Sequence, residues 1–460
     1  MVTLFGMLEL NRRSLLSSQY ALQTINHNIA NVNTAGYSRQ QVNMHTSYPI
    51  KTSFGVLGTG VSAVSVQRAT AEFYTRQMRN ENSTLGGWDA TCSVLSEIEM
   101  IVNEPSDTGL ASALDAFFSA WNDLASDPES SALRVGVVES AKTLCETMHE
   151  MDHSLQKTGD NIESQIKYNV DQFNKLLTMI SELNGKIVAT ESSGVSASDL
   201  RDERDRLILE ASRIARIDVK EDRYGAVDVF LGGTNVVHRS EARYLDTSLE
   251  SLSGNNWVEV VAENNGETIR VEDGELAGLL EVRAENLDQV RNSLDNIASI
   301  LIAKVNEIHS RGMTSQGSGF DFFVGEGAGD ISISLPIEQN ADLVATSYDG
   351  TIGDNTLAND ICTLSETIIS EDEPLTINGL YESLVAEVGI YSRNARNMMS
   401  NQTLILDNIE LRKESITGVN LDEELIQLTK FEQSYEAAAR VLKTVEELTD
   451  TILDLVQGIY

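Results

Sequence analysis

Leu428-Thr-Lys-Phe431-Glu-Gln-Ser-Tyr435-Glu-Ala-Ala438-Ala-Arg-Val-Leu442-Lys-Thr-Val445, continued by Thr449, Ile452, Val456 and Ile459, places its seam residues at alternating steps of three and four. That 3.5-residue average marks a helix whose single apolar seam requires a partner helix. Only Thr449 in the series is not apolar. Upstream, Tyr381, Leu384, Val388, Tyr391, Ala395, Met398, Gln402, Ile405 and Ile409 keep the same average, so another long helix precedes it. Gly418 stops that helix and Asn420 caps the next, with Asp422, Glu423 and Glu424 complementing the dipole of its first turn.

The same pattern recurs along the chain. After Asp127-Pro128, with Ser130 or Ser131 as N-cap, comes a seam of Val137, Ala141, Leu144, Met148, Met151, Leu155, Ile162, Ile166, Val170, Phe173, Leu177 and Ile180. A helix from 131 to 190 would be roughly 90 Å long at the usual rise per residue. A fourth seam, Leu287, Val290, Leu294, Ile297, Leu301, Val305 and Ile308, ends at Arg311-Gly312. At the N-terminus Leu8, Leu15, Leu22 and Ile29 lie seven apart, with Leu4 and Ile25 on the adjoining stripe.

Between 217 and 274 the pattern changes to short β-branched runs such as Val227-Asp-Val-Phe-Leu231, punctuated by Gly232-Gly233 and Asn264-Asn265-Gly266, which reads as a β insertion. The Gly-rich stretch 312–353 reads as loop with room for one strand at Ile331 to Leu335. The expected fold is mainly α: a long-helix bundle whose heptad-patterned N- and C-terminal helices pair, plus a small β-rich inserted domain. Its units would be 1–60 (helix and Asn-rich loop, paired with 418–460), the two helical halves 61–216 and 275–417, and the β-rich outer domain 217–274.

The chain has 460 residues, room for about three domains. Only five are proline, which suits long helices. Seventy acids against 34 bases give a net charge of −36, a field that repels phosphate backbones and anionic lipid, so nucleic acid and membrane are not expected partners. Cys92, Cys145 and Cys362 form no CxxC, and the apolar N-terminal stretch is interrupted by Glu9, Asn11, Arg12 and Arg13 where a signal peptide would need its apolar core.

One catalytic signature occurs. His149-Glu-Met-Asp-His153 spells HExxH, the zinc-peptidase helix in which two imidazoles hold the metal and Glu150 would act as base. A third ligand is lacking nearby, with Glu163 only ten residues on, and Asp152 is charged where a peptidase helix packs apolar side chains. Both histidines are expected roughly 130 to 170° from the stripe of Met148, Met151 and Leu155, facing solvent. The match reads as chance on an acidic helix face, so no metal, cofactor or catalytic residue is assigned. Gly325, Gly327 and Gly329 lack the spacing of a dinucleotide fingerprint and read as a flexible loop.

The remaining stretch of note is Asn28-Ile-Ala-Asn31-Val-Asn33-Thr-Ala-Gly36-Tyr37-Ser-Arg39-Gln40, a helix end running into an ordered turn. It resembles the N-terminal signature of bacterial flagellar axial proteins, and its Tyr-Ser-Arg-Gln ending is most similar to the hook-associated protein 1 family at the hook-filament junction. Gly418-Val-Asn-Leu-Asp-Glu-Glu-Leu425 and Lys430 to Leu442 resemble the other end of the same family. Ala35 stands where the family usually has proline, and the outer domain that larger members carry after the Gly-rich segment is not expected here.

The resemblance implies a structural, non-enzymatic subunit, exported unfolded without cleavage and extracellular once assembled. Its implied partners are further copies of itself in a ring, hook protein, a second junction protein towards the filament, and an export chaperone on the C-terminal helix. The expected assembly interface is Leu8, Leu15, Leu22, Ile25, Ile29, Asn31, Asn33, Gly36, Tyr37 and Arg39 from one end, with Phe431, Tyr435, Leu442, Val445, Ile452 and Val456 from the other. Another axial subunit (hook, distal rod or second junction protein) and a zinc peptidase on an axial scaffold are the alternatives.

Overall fold

The computed structural model describes residues 4–52, 55–102, 109–252, 255–314, 317–368 and 375–457. Ile459 and the side chains of Leu4 and Val456 lie outside them.

Helix α1 (Leu4–Ala30) is followed by four strands, β1 (Gln40–Thr46), β2 (Ile50–Thr52), β3 (Gly55–Leu57) and β4 (Val61–Arg68). β1 pairs antiparallel with β4 from Gln40↔Arg68 to Thr46↔Val61, and β2 with β3 extends the ribbon. The first unit therefore runs to Arg68, and a boundary at 60 would cut this hairpin. Ser17 of α1 tacks it down, its hydroxyl donating to the Val61 carbonyl and accepting from the Ala63 N–H. The other partner of α1 is α11 (Leu421–Gln457), the seam helix at the far end of the chain.

The body is built from α2 (Glu72–Val102), α3 (Leu110–Ser126), α4 (Ser131–Glu191), α5 (Ser198–Ile214), α6 (Glu275–Glu281), which passes through a π-helical turn (Val282–Leu287) into α7 (Asp288–His309), and α10 (Ile377–Thr417). α4 has 61 residues and is capped by Ser130, whose hydroxyl accepts from the Leu133 N–H. All twelve of its expected seam residues are buried, because its helical period persists uninterrupted against α2, α3, α5 and α6.

α10 lies along α2 and departs from the expected stripe. Tyr381, Leu384, Val388, Ala395, Gln402 and Ile409 are buried, but Tyr391, Met398 and Ile405 are exposed. A strict seven-residue spacing drifts about 20° per heptad on a straight helix. Ser392 takes the inward place beside Tyr391, donating to Glu99, and Gln402 donates to the carbonyl and carboxylate of Glu81.

The β insertion is an antiparallel sheet in sequential order, β5 (Ile217–Glu221), β6 (Val227–Leu231), β7 (Thr234–His238) and β8 (Glu241–Ala242), followed by the hairpin β9 (Leu245–Leu252) and β10 (Asn255–Ala262). Two asparagines of α4 dock it as substitute strand edges. Asn184 donates to the carbonyls of Val227 and Arg239 and accepts from the Val227 N–H, while Asn174 makes both bonds to the backbone of Leu245.

The Gly-rich stretch holds two short strand pairs, β11 (Met313–Thr314) with β12 (Gly317–Ser318) and β13 (Phe323–Val324) with β14 (Ser332–Ile333), then α8 (Leu335–Gln339) and α9 (Thr356–Thr363). The glycine run 325–329 is an ordered turn instead of a flexible loop. Gly325 has φ 122°, the Asp330 carboxylate accepts from the N–H groups of Glu326 and Gly327, and the Ala328 N–H donates to Asp295 of α7. Phe322 and Phe323 enter a buried aromatic cluster with Phe117, Trp121 and His309. No helix among the described residues is long and apolar enough to cross a membrane.

Candidate assembly interface

The Asn-rich stretch closes a clasp between the two chain ends. Asn28, in the last turns of α1 and 1% exposed, uses its whole amide. Its Oδ1 accepts from the Gln40 N–H at 2.9 Å and from the Tyr37 hydroxyl at 2.7 Å, and its Nδ2 donates to the Gln40 carbonyl at 2.9 Å and to Glu424 at 3.1 Å. Glu424, in the first turn of α11, has a side chain only 2% exposed and also accepts from Arg39 Nε at 2.7 Å. Arg39 reaches Glu423 as well, and its N–H donates to the carbonyl of Thr417, the last residue of α10. The end of α1 thus meets the start of α11, and the two helices run antiparallel.

The turn that makes this possible is local. Asn31 donates to the His27 carbonyl, Thr34 donates to Asn31, and Gly36 adopts φ 79° against the side chain of Arg206. A residue with a Cβ would be strained at that φ.

A second set of contacts ties the clasp to α5. Asp202 accepts from the Ser38 N–H and from Arg68, Arg68 also reaches Asp205, and Gln40 donates to Asp199. Burial raises the Asp202 pKa despite these donors. Burial would by itself depress Arg68, but Asp205 and Asp202 together raise it, so it stays charged. Burial, then Asp199, Asp202 and Glu424, raise the Tyr37 phenol, which keeps its proton for Asn28.

Of the expected interface residues, Ile25 and Val445 are buried, while Leu8, Leu15, Leu22, Ile29, Asn31, Tyr37, Arg39, Phe431 and Leu442 are half-buried. Asn33, Gly36, Tyr435 and Ile452 are exposed, and the Val456 side chain is outside the described residues. The seam of α11 is covered along Glu424, Leu428, Phe431, Ala438, Leu442 and Val445 and opens towards its end. Sequence reading quoted Asn28, Ser38 and Gln40 in the Asn-rich stretch and gave Glu424 a place in the first turn of the last helix, but it put none of them in the interface and did not name Arg68, Asp199, Asp202 or Asp205. Their partners lie up to 396 residues away, and such pairs leave no periodic trace.

The HExxH residues form a different arrangement from the one expected. His153 is exposed, but His149 is half-buried with Nε2 shielded, because the ordered turn at 325–330 packs over this part of α4. Asp152 pairs with Arg291 at 3.2 Å, and Glu163 with Arg283 at 3.6 Å. Among the described residues no group of three His, Cys, Asp or Glu side chains is placed to hold a metal ion.

Comparison with known proteins adds the following. Residues 95–323 match the family described as "Flagellar hook-associated protein FlgK helical domain", and residues 415–455 match "Flagellar basal body rod FlgEFG protein C-terminal". The chain is 28% identical to flagellar hook-associated protein 1 of Bacillus subtilis (strain 168) over 99% of each chain. It is 25% identical to the protein of that name from Escherichia coli (strain K12), over 96% of this chain and 98% of the relative. Among solved structures, the flagellar hook junction protein FlgK from Burkholderia pseudomallei superposes with TM-score 0.67 at 14% identity, covering 74% of this chain and all of that one. The last likeness is one of fold.

Proposed function

Because the chain belongs to the flagellar hook-associated protein 1 family, we propose that it is a structural, non-enzymatic subunit of the junction between hook and filament. In this reading it is exported unfolded and uncleaved, and then assembles through its terminal helices into a ring between hook protein and a second junction protein. The observation that carries the reading is the clasp, in which Asn28 and Arg39 from one end hold Glu424 from the other, while Asp199, Asp202 and Asp205 of α5 tie the clasp to the helical body. An annular subunit needs that relation. Its terminal helices must pack with those of its neighbours while its body keeps a set angle, so the joint between the two must be stiff.

The units proposed are the α1–α11 pair with its hairpin towards the axis, the α2–α10 body at middle radius, and the sheet at 217–274 outward. Exposed Leu10, Leu16 and Tyr20 on α1 and Leu425, Tyr435 and Ile452 on α11 are the apolar surface that neighbouring subunits would cover. Before export, a chaperone would hold α11 by the stripe that α1 covers in the folded chain, leaving this outer surface to the assembly. The chain in isolation then has this surface unsatisfied, which suits a protein stable only when assembled.

The test is complementation. A strain lacking its own junction protein, supplied with this chain, should carry it at hook tips by immunogold labelling and regain filaments. Labelling spread along the hook or at the rod would favour another axial subunit instead, a reading that the likeness of 415–455 to rod proteins keeps open.

A further inference from the structure

The chain's charge is segregated. From Leu10 to Ala71 there is no Asp or Glu, and the first 71 residues hold one acid, Glu9, against Arg12, Arg13, Arg39, Lys51 and Arg68. Residues 72–460 therefore carry all of the net −36 and more. Two copies of so acidic a body repel one another at contact distance, within about a Debye length. Close approach of two copies requires a surface that is not acidic.

Much of the acid-free stretch is already engaged. α1 packs against α11, Arg12 and Arg13 pair with Glu9, Arg39 pairs with Glu423 and Glu424, and Arg68 with Asp202 and Asp205. The side chains of Tyr48, Ile50, Lys51, Val56 and Leu57 at the far end of the ribbon face solvent. Tyr48 is 96% exposed, and Ile50, Val56 and Leu57 are exposed with it on β2 and β3. Lys51, opposite Val56 in the ribbon, has no ion pair among the described residues. An exposed apolar patch carrying one cation and no acid on a two-stranded ribbon has the composition of a docking element.

We propose that this patch, formed by Tyr48, Ile50, Lys51, Val56 and Leu57, seats one copy of the chain on the acidic body, residues 72–460, of a second copy. The proposal rests on the junction reading only for where the copies meet. Charge selects the occupant. A nucleic acid or an anionic lipid surface would be drawn to Lys51 alone and repelled by everything behind it, whereas a second copy offers the patch abundant carboxylates.

The experiment uses the full chain assembling in cells, with Val56 or, separately, Ile50 replaced by photoreactive benzoylphenylalanine, and a second copy of altered mass co-expressed. Isolated flagella are irradiated and the adduct is mapped by mass spectrometry. The expected product is a mixed dimer joined to a peptide within 72–460 of the second copy, lost to background when Lys51→Glu is added. Adducts confined to the chain's own residues, to residues 1–71 of the second copy or to another protein, or no adduct from either position, would overturn the proposal. If the unsubstituted chain is not found at hook tips, the junction reading fails separately, and the same crosslink on concentrated purified chain decides the docking question.

Discussion

Arg39 Nε donates to Oε1 of Glu424 at 2.7 Å, joining residues 385 apart in sequence. Removing one partner of a buried ion pair costs more than removing both, because the survivor stays charged without its partner. Glu424 is the more deeply buried of the two and would be left with Asn28. Arg39→Ala is expected to lower the stability of the α1–α11 unit by about 3 kcal/mol, with Arg39→Met combined with Glu424→Leu less harmful than the single change. Hydrogen exchange across 421–445 measures this. Unchanged protection in Arg39→Ala would mean that the clasp contributes nothing.

His309 supplies a pH dependence. Its Nδ1–H donates to the Phe320 carbonyl at 2.6 Å and its Nε2 accepts from the Ala345 N–H at 3.0 Å, so the fold holds the neutral ring. Burial pulls its pKa down to about 4, against the smaller opposing effects of the Phe320 carbonyl and Asp321. The unfolded ring titrates near 6.5, so this contribution is complete above that pH and is lost as pH falls through 6.5 towards 4, by up to about 3 kcal/mol. Urea unfolding of the wild type and of His309→Gln should converge in midpoint between pH 7 and pH 4.5. A constant gap between the two curves would show that His309 is not the group responsible.

What could be read from sequence follows from how each feature is encoded. The seam of α4 was legible because twelve positions repeat one period and the helix meets the body along its length. In α10 the same reading found the helix but misjudged its face, since Ser392 gives no apolar signal and a polar network with Glu99 holds it inward. The hairpin from Gln40 to Arg68 was missed, although Gly55, Gly58 and Gly60 punctuate it and Val42 and Met44 alternate with polar residues. Of the candidate site, Arg39, Tyr37 and Gly36 came from a resemblance. The carboxylates of the site sit on α5 and α11, where Asp202 accepts from Ser38, Asp199 from Gln40 and Glu424 from Arg39, and nothing in their local spacing separates them from the other acids.

Zinc content tests the HExxH match. With Asp152 paired to Arg291 and Glu163 to Arg283, two carboxylates on the same helix that could complete a metal site are already held by guanidinium groups. Purified chain dialysed against micromolar zinc should retain far less than one equivalent and hydrolyse no peptide. One tightly held equivalent, lost in His149→Ala with His153→Ala, would restore the peptidase reading.

The last prediction concerns α11 as a surface used by successive partners. In the folded chain its stripe of Ala438, Leu442 and Val445 is covered, and α1 is the long helix that packs along it. A chaperone that holds this helix before export must therefore take the stripe in place of α1. Deleting residues 4–30 should strengthen chaperone binding, because the intramolecular competitor is gone. Leu442→Asp with Val445→Asp should weaken binding and hook-tip incorporation together, at several kcal/mol for two carboxylates in an apolar seam. The melting of the α2–α10 body should not change, since α11 packs mainly along α1 and its first turn is bonded to Asn28 and Arg39, outside that body. Equal chaperone affinity for the whole chain and for a fragment ending at Thr417 would place the chaperone site elsewhere. Equal affinity with and without α1 would place it on the outer face of α11, where Leu425, Val441 and Leu448 are exposed, and chaperone and α1 could then occupy the helix together.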